Sequence, residues 1–100
     1  MSIQKQYLKT KPVCKVTFTV AADQQVESVA LAGDFNEWDP TALLLKKSKT
    51  GTFSTSLNLE PNKAYQFRYV INGEQWVNDD EADAYLPTDV SYDQNSVLHL

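Results

Sequence analysis

The chain is 100 residues long, 42% hydrophobic and 22% charged, with a formal charge of −4. That length holds one domain with one modest core, and the composition is globular rather than disordered. An acidic balance excludes a nucleic-acid surface built on phosphate neutralisation, and no run of about 18 apolar residues offers a membrane-spanning helix.

Charge is unevenly placed along the chain. Lys5, Lys9, Lys11 and Lys15 precede the first acidic residue, whereas from Ala64 onward seven acids face one base, Arg68. Residues 1–12 therefore read as a basic N-terminal segment, a solubilising tail ahead of a folded unit over 13–100. The stretch "MSIQKQYLKTKP" lacks the apolar run of a secretory signal, and Cys14 has no second cysteine to pair with. Both features suit a reducing compartment such as the cytoplasm. A start at Met1 and an end on a strand pattern favour a complete small protein over a fragment of a larger chain, which stays as the alternative.

From Val13 onward the hydrophobic period is two. "VCKVTFTV" puts Cys14, Val16, Phe18 and Val20 on one face and Lys15, Thr17 and Thr19 on the other. "ESVALAG" turns Val29 and Leu31 inward and the small Ala30 and Ala32 outward. The stretch "AGDFNEWDP" then reads as a turn, yet holds Phe35 and Trp38. Phe35 is expected inward as the loop's anchor and Trp38 outward, although period alone leaves each tryptophan equally open to a core position. "TFSTSLNL" alternates Phe53, Leu57 and Leu59 with polar residues. "AYQFRYVIN" sets Tyr65, Phe67, Tyr69 and Ile71 against Gln66, Arg68 and Val70, and Asn72-Gly73 signals a type I′ hairpin into "EQWV". "NSVLHL" makes a last strand. "PTALLLKK" and "DDEADAY" are the only stretches with room for a helical turn, and neither sustains a helix. Short strands with almost no helix predict an all-β antiparallel sandwich.

Catalytic chemistry has little to work with. His99 is the only histidine, Cys14 lies on an apolar strand face, and neither a phosphate loop nor zinc spacing is present. No cofactor, metal or enzymatic activity is expected. The run Asp79, Asp80, Glu81 and Asp83 lacks the glycine of an EF-hand loop and reads as solvated surface. What remains is Trp38, Trp76 and Arg68. If Phe67 and Tyr69 face the core, Arg68 faces out, beside two loop-borne indoles. Such a platform suits a sugar, whose C–H face packs on indole while its hydroxyls bond to polar partners. The plain structural alternative pairs Arg68 with an acid such as Asp79.

At these residues the chain is similar to a known family. "VALAGDFNEWDP", "YQFRYVINGEQWVNDDEADAYLPTD" and "NSVL" resemble the family-48 carbohydrate-binding modules. These are the isoamylase N-terminal or early-set domains, which include the glycogen-binding domain of AMP-activated protein kinase β subunits. The likeness runs from about Pro12 to the C-terminus. It implies an immunoglobulin-like early-set β-sandwich that binds α-1,4-linked glucans, whether glycogen, starch or maltooligosaccharides. It also implies stacking on Trp38 and Trp76 and polar contacts from Arg68 and Asn95. The family's kinase-type members present a Leu and a Thr where this chain has Ser91 and Asp93, with Tyr92 as a substitute apolar surface. Other members keep the fold without sugar binding, so a docking module for a catalytic or kinase subunit is the alternative function.

Overall fold

The period-two segments fold as nine strands among residues 2–21, 25–87 and 94–100, which are the residues that the computed structural model describes. They are β1 (Ser2–Tyr7), β2 (Cys14–Ala21), β3 (Val29–Gly33), β4 (Lys46–Lys47), β5 (Thr52–Leu59), β6 (Ala64–Ile71), β7 (Gln75–Val77), β8 (Ala84–Pro87) and β9 (Gln94–His99). One sheet runs β1-β2-β5-β4 and the other β3-β6-β9-β8, with every pairing antiparallel. Strand β6 divides one edge between β9, over Ala64–Phe67, and β7, over Tyr69–Ile71. The predicted all-β sandwich is what forms, with no helix among the described residues.

The core lies between the sheets. Cys14, Val16, Phe18 and Val20 of β2 meet Leu31, Phe67, Tyr69 and Leu98 of the second sheet, all buried as their alternation requires. Phe18 meets Phe67 edge to face at 5.3 Å between centroids, and Phe67 meets Tyr69 at 5.7 Å. Edge-to-face rings set the positive rim of one against the negative face of the next. Cys14 is wholly buried and packs as a small hydrophobe.

Three segments depart from expectation. The basic N-terminal segment supplies an edge strand, because β1 pairs with β2 along its whole length. Its inward positions are Ile3, Lys5 and Tyr7, opposite Phe18, Val16 and Cys14, a row too polar to read as a strand face. Lys5 is accommodated because its Nζ donates to Asp83 Oδ2 at 2.7 Å and to the His99 carbonyl at 2.9 Å, clasping the two sheets together. The stretch "PTALLLKK", read as holding no stable helix and given no strand, turns at Pro40, Thr41 and Ala42 and then pairs in extended form. Leu44 bridges Ala30, the Leu31 N–H donates to the Leu43 carbonyl and the Leu45 N–H to the Val29 carbonyl. The chain then crosses to the first sheet as β4. Within "DDEADAY", Ala84 and Tyr85 begin β8.

The acidic run is not simply solvated. Burial pushes the Asp83 carboxyl up, but the hydrogen bonds from Lys5 and the His99 N–H, with the charges of Lys5 and His99, outweigh it and hold the pKa below 3.8. A carboxyl lowered by folding stabilises above its ordinary range, and that share is lost as pH falls through the lowered value. With both side chains partly exposed, Lys5→Met is expected to reduce the acid sensitivity of unfolding by no more than about 1 kcal/mol. Urea melts at about pH 6 and about pH 3, on either side of the ordinary carboxyl range, measure it.

Asp79 is wholly buried. Its carboxylate accepts the Tyr69 hydroxyl at 2.7 Å and the Glu81 N–H at 2.7 Å. Its N–H donates to Ser96 Oγ at 2.9 Å, and its carbonyl accepts the Tyr85 hydroxyl at 2.6 Å. Burial, followed by the hydrogen bond and charge of Asp79, raises the Tyr69 pKa far above the usual phenol range.

Candidate functional site

Cross-strand partners point to the same face of a sheet, which sorts the second sheet into an inner and an outer row. Tyr69 and Phe67 face in, so Val70 and Arg68 face out, as do their β3 partners Ala30 and Ala32. Trp76 lies opposite Val70 on β7. Ser96, opposite Phe67, faces in, and its neighbour Asn95 faces out. Trp38 packs on Ala30, Ala32 and Val70 from the loop above. Trp38, Arg68, Trp76 and Asn95 therefore share one face. Tyr92, with Ser91 and Asp93, lies outside the described residues.

The loop around Trp38 is tightly specified. Gly33 begins it where backbone runs close: an added Cβ would stand 2.6 Å from the Gln66 carbonyl oxygen and 2.6 Å from the Phe35 ring. Asn36 locks the turn, accepting the Gly33 N–H at 3.0 Å and donating to the Leu31 carbonyl at 2.9 Å. The Asp34 N–H bonds to the Gln66 carbonyl at 3.0 Å, and its carboxylate accepts the Gln66 N–H at 3.1 Å. Phe35 turns in, packing on the core and meeting Tyr65 edge to face. Glu37 and Trp38 then take left-handed backbone angles, with φ of 59° and 58°. For non-glycine residues that conformation costs roughly 1–2 kcal/mol each. The Trp38 N–H bond to the Gly33 carbonyl at 2.9 Å helps to hold it there. Downstream, the Thr41 N–H and then its hydroxyl donate to Asp39 and lower its carboxyl pKa.

Trp38 is neither core nor free surface. One side of the indole seals Ala30 and Ala32, which are buried although they point away from the main core, and the residue as a whole is half-buried. Trp76 is 40% exposed. It is carried by the predicted hairpin, in which Asn72 and Gly73 have φ of 53° and 71° and the Glu74 N–H closes on the Ile71 carbonyl at 3.1 Å. The Asn72 side chain ties this turn to the β2–β3 connection, accepting the Glu27 N–H at 2.7 Å and the Ser28 N–H at 3.1 Å.

A polar row crosses the same face. Arg68 Nε donates to Asn95 Oδ1 at 2.8 Å, and Asn95 Nδ2 donates to Gln66 Oε1 at 3.0 Å. The two contacts fix which end of the Asn95 amide points each way. Arg68 thus has Asn95 beside it, while Asp79, the acid considered for it from sequence, lies beneath the sheet with Tyr69. Among the described residues no group of three His, Cys, Asp or Glu is placed to hold a metal ion.

The family model for the glycogen recognition site of AMP-activated protein kinase matches residues 16–96, a range that takes in Trp38, Arg68, Trp76 and Asn95. The chain belongs to this family. Its members are carbohydrate-binding modules, which are non-catalytic domains. Among solved structures, a maltogenic amylase from S. marinus aligns with 88% of this chain at a TM-score of 0.69 and 21% identity. That likeness supports the immunoglobulin-like sandwich, and the chain spans 14% of the amylase's length. A search of curated proteins finds no match.

On the outer face of this family member, the sequence reading assigned no role to Gln66, Leu44 or Leu86. Alternation on β6 already set Gln66 beside Arg68. The two leucines become legible only through register, since Leu44 lies opposite Ala30 and Leu86 opposite Asn95.

Proposed function

We propose that this module binds α-1,4-linked glucans of the glycogen or starch type on the outer face of its second sheet. Trp38 and Trp76 stack against glucose rings, and Arg68 and Asn95 bond to their hydroxyls. The observation that carries the reading is the Arg68–Asn95 hydrogen bond set on the same face as the two indoles, in a chain of a glycogen-recognition family. Indole supplies an apolar plane and the polar row supplies fixed donors and acceptors, the two things a sugar presents partners for. Two left-handed residues holding Trp38 in place are the kind of local strain that gathers at functional sites.

Each stacked indole buries about 100 Å², worth ~2–3 kcal/mol at 25 cal/mol per Å². Association costs of ~4 kcal/mol or more offset most of this, so a Kd in the micromolar-to-millimolar range, roughly −8 to −4 kcal/mol, also needs the hydrogen bonds from Arg68 and Asn95. Titration with maltoheptaose, followed by intrinsic fluorescence, is expected to perturb the tryptophan emission with little dependence on salt. Trp76→Ala, at the more exposed position, is expected to weaken binding more than about tenfold without unfolding the domain. Silence at about 10 mM sugar, a concentration above the highest Kd expected here, would sink the reading. A tenfold loss on raising salt would point to a charged partner.

A further inference from the structure

We infer that Leu44 and Leu86 are the outermost contacts of the glucan face, which therefore reads a chain segment spanning the sheet rather than a short sugar. The inference rests on the α-glucan reading above and extends it to ligand length.

Exposed leucines scattered singly are ordinary on protein surfaces. These two are not scattered. Among the described residues the exposed large hydrophobics are Tyr7, Leu44, Trp76, Tyr85 and Leu86. Leu44, Trp76 and Leu86 all occupy outward register positions on the second sheet, while Tyr7 and Tyr85 occupy inward ones. Leu44 is 60% exposed and Leu86 46%, more open than either tryptophan.

Their backbones are held as firmly as those of the indoles. The Leu44 segment is bonded to β3 on both sides of the residue, and Leu86 pairs with Asn95 inside the β8–β9 ladder. From Leu44 the face crosses β3, β6 and β9 to reach Leu86 on β8. Four strand spacings of about 4.8 Å make ~19 Å. Between the two ends come Trp38, the row of Arg68, Asn95 and Gln66, and Trp76. The strip is apolar at both ends and polar in the middle, where Arg68, Asn95 and Gln66 are joined by hydrogen bonds. That pattern suits a neutral polymer offering C–H faces and hydroxyls at every repeat. A sugar much shorter than this strip cannot rest on both leucines at once.

The test is calorimetric titration of the full chain and of its Leu44→Thr and Leu86→Thr variants with maltotriose and with maltoheptaose. Both positions are exposed and extended, so threonine keeps the strand, and Leu→Met at each site is the conservative control. Each Thr variant is expected to lose about fivefold in maltoheptaose affinity, the worth of part of a leucine surface. Maltotriose binding should stay within about twofold, inside the scatter of surface substitutions, and the Met variants should match the native chain. Unchanged maltoheptaose affinity in both Thr variants overturns the inference, as does an equal loss for both sugars. Failure of the native chain to bind either sugar is a different result, and overturns the glucan reading together with its extension.

Discussion

Asp79→Ala is expected to cost about 3 kcal/mol of folding stability, because the buried Tyr69 hydroxyl loses its acceptor and a cavity opens beside it. The substitution strips the buried Tyr69 hydroxyl of its acceptor within the second sheet, and the part-buried Glu81 N–H of its acceptor in the turn before β8. Each buried donor left unmatched costs roughly 1–3 kcal/mol, and the vacated space adds to that. In a domain of this size the melting midpoint should fall by more than about 10 °C. Tyr69→Phe removes the complementary partner and is expected to cost less, about 1–2 kcal/mol, because the carboxylate keeps the Glu81 N–H. The double variant should cost clearly less than the two single losses added, as residues sharing one network do. A loss for Asp79→Ala below about 1 kcal/mol would show that the network is incidental.

The second large effect is expected at Gly33. An alanine methyl there would press on the Gln66 carbonyl oxygen, a backbone atom already holding the Asp34 N–H, and on the Phe35 ring. Neither gives way cheaply, and overpacking of this kind costs about 1–3 kcal/mol or more. The consequence also reaches function, because the Gly33 carbonyl accepts the Trp38 N–H. Gly33→Ala is therefore expected to lower both the thermal midpoint and the response of Trp38 to maltoheptaose. Gly73→Ala is the contrast. Its φ is positive, but nothing lies within 4 Å of the added carbon, so it should cost only about 1 kcal/mol and leave the Trp38 loop intact. Equal effects at the two glycines would refute the close-approach argument.

Both sites show how unevenly the sequence reveals the molecule. Strands β2 and β6 were legible because each buries one face against a partner sheet, so alternation is strict and local. The Asn72-Gly73 hairpin was legible because few residues tolerate two positive φ angles. Strand β1 was not, since its inward Lys5 is stabilised by an acid 78 positions away. The same holds for Asp79, whose burial depends on the Tyr69 hydroxyl and on Ser96, neither of them nearby in sequence. The acidic stretch around it masks β8 for that reason. On the outer face of the second sheet, Trp38, Arg68 and Trp76 stood out by residue type and position. Asn95 came only through family resemblance, and the leucines only through cross-strand register.

The crossing of Leu43–Lys47 from one sheet to the other has a consequence for how copies of this protein meet. One continuous piece of chain closes the border of β3 and forms the short border strand of the opposite sheet. The remaining borders among the described residues are β1, with a lysine in its middle, the three-residue β7, and β8, which ends at a proline. Charges, proline and brevity are the devices that discourage strand-by-strand templating between neighbours. A sheet can then display bare leucine and indole to solvent without its rims inviting polymerisation.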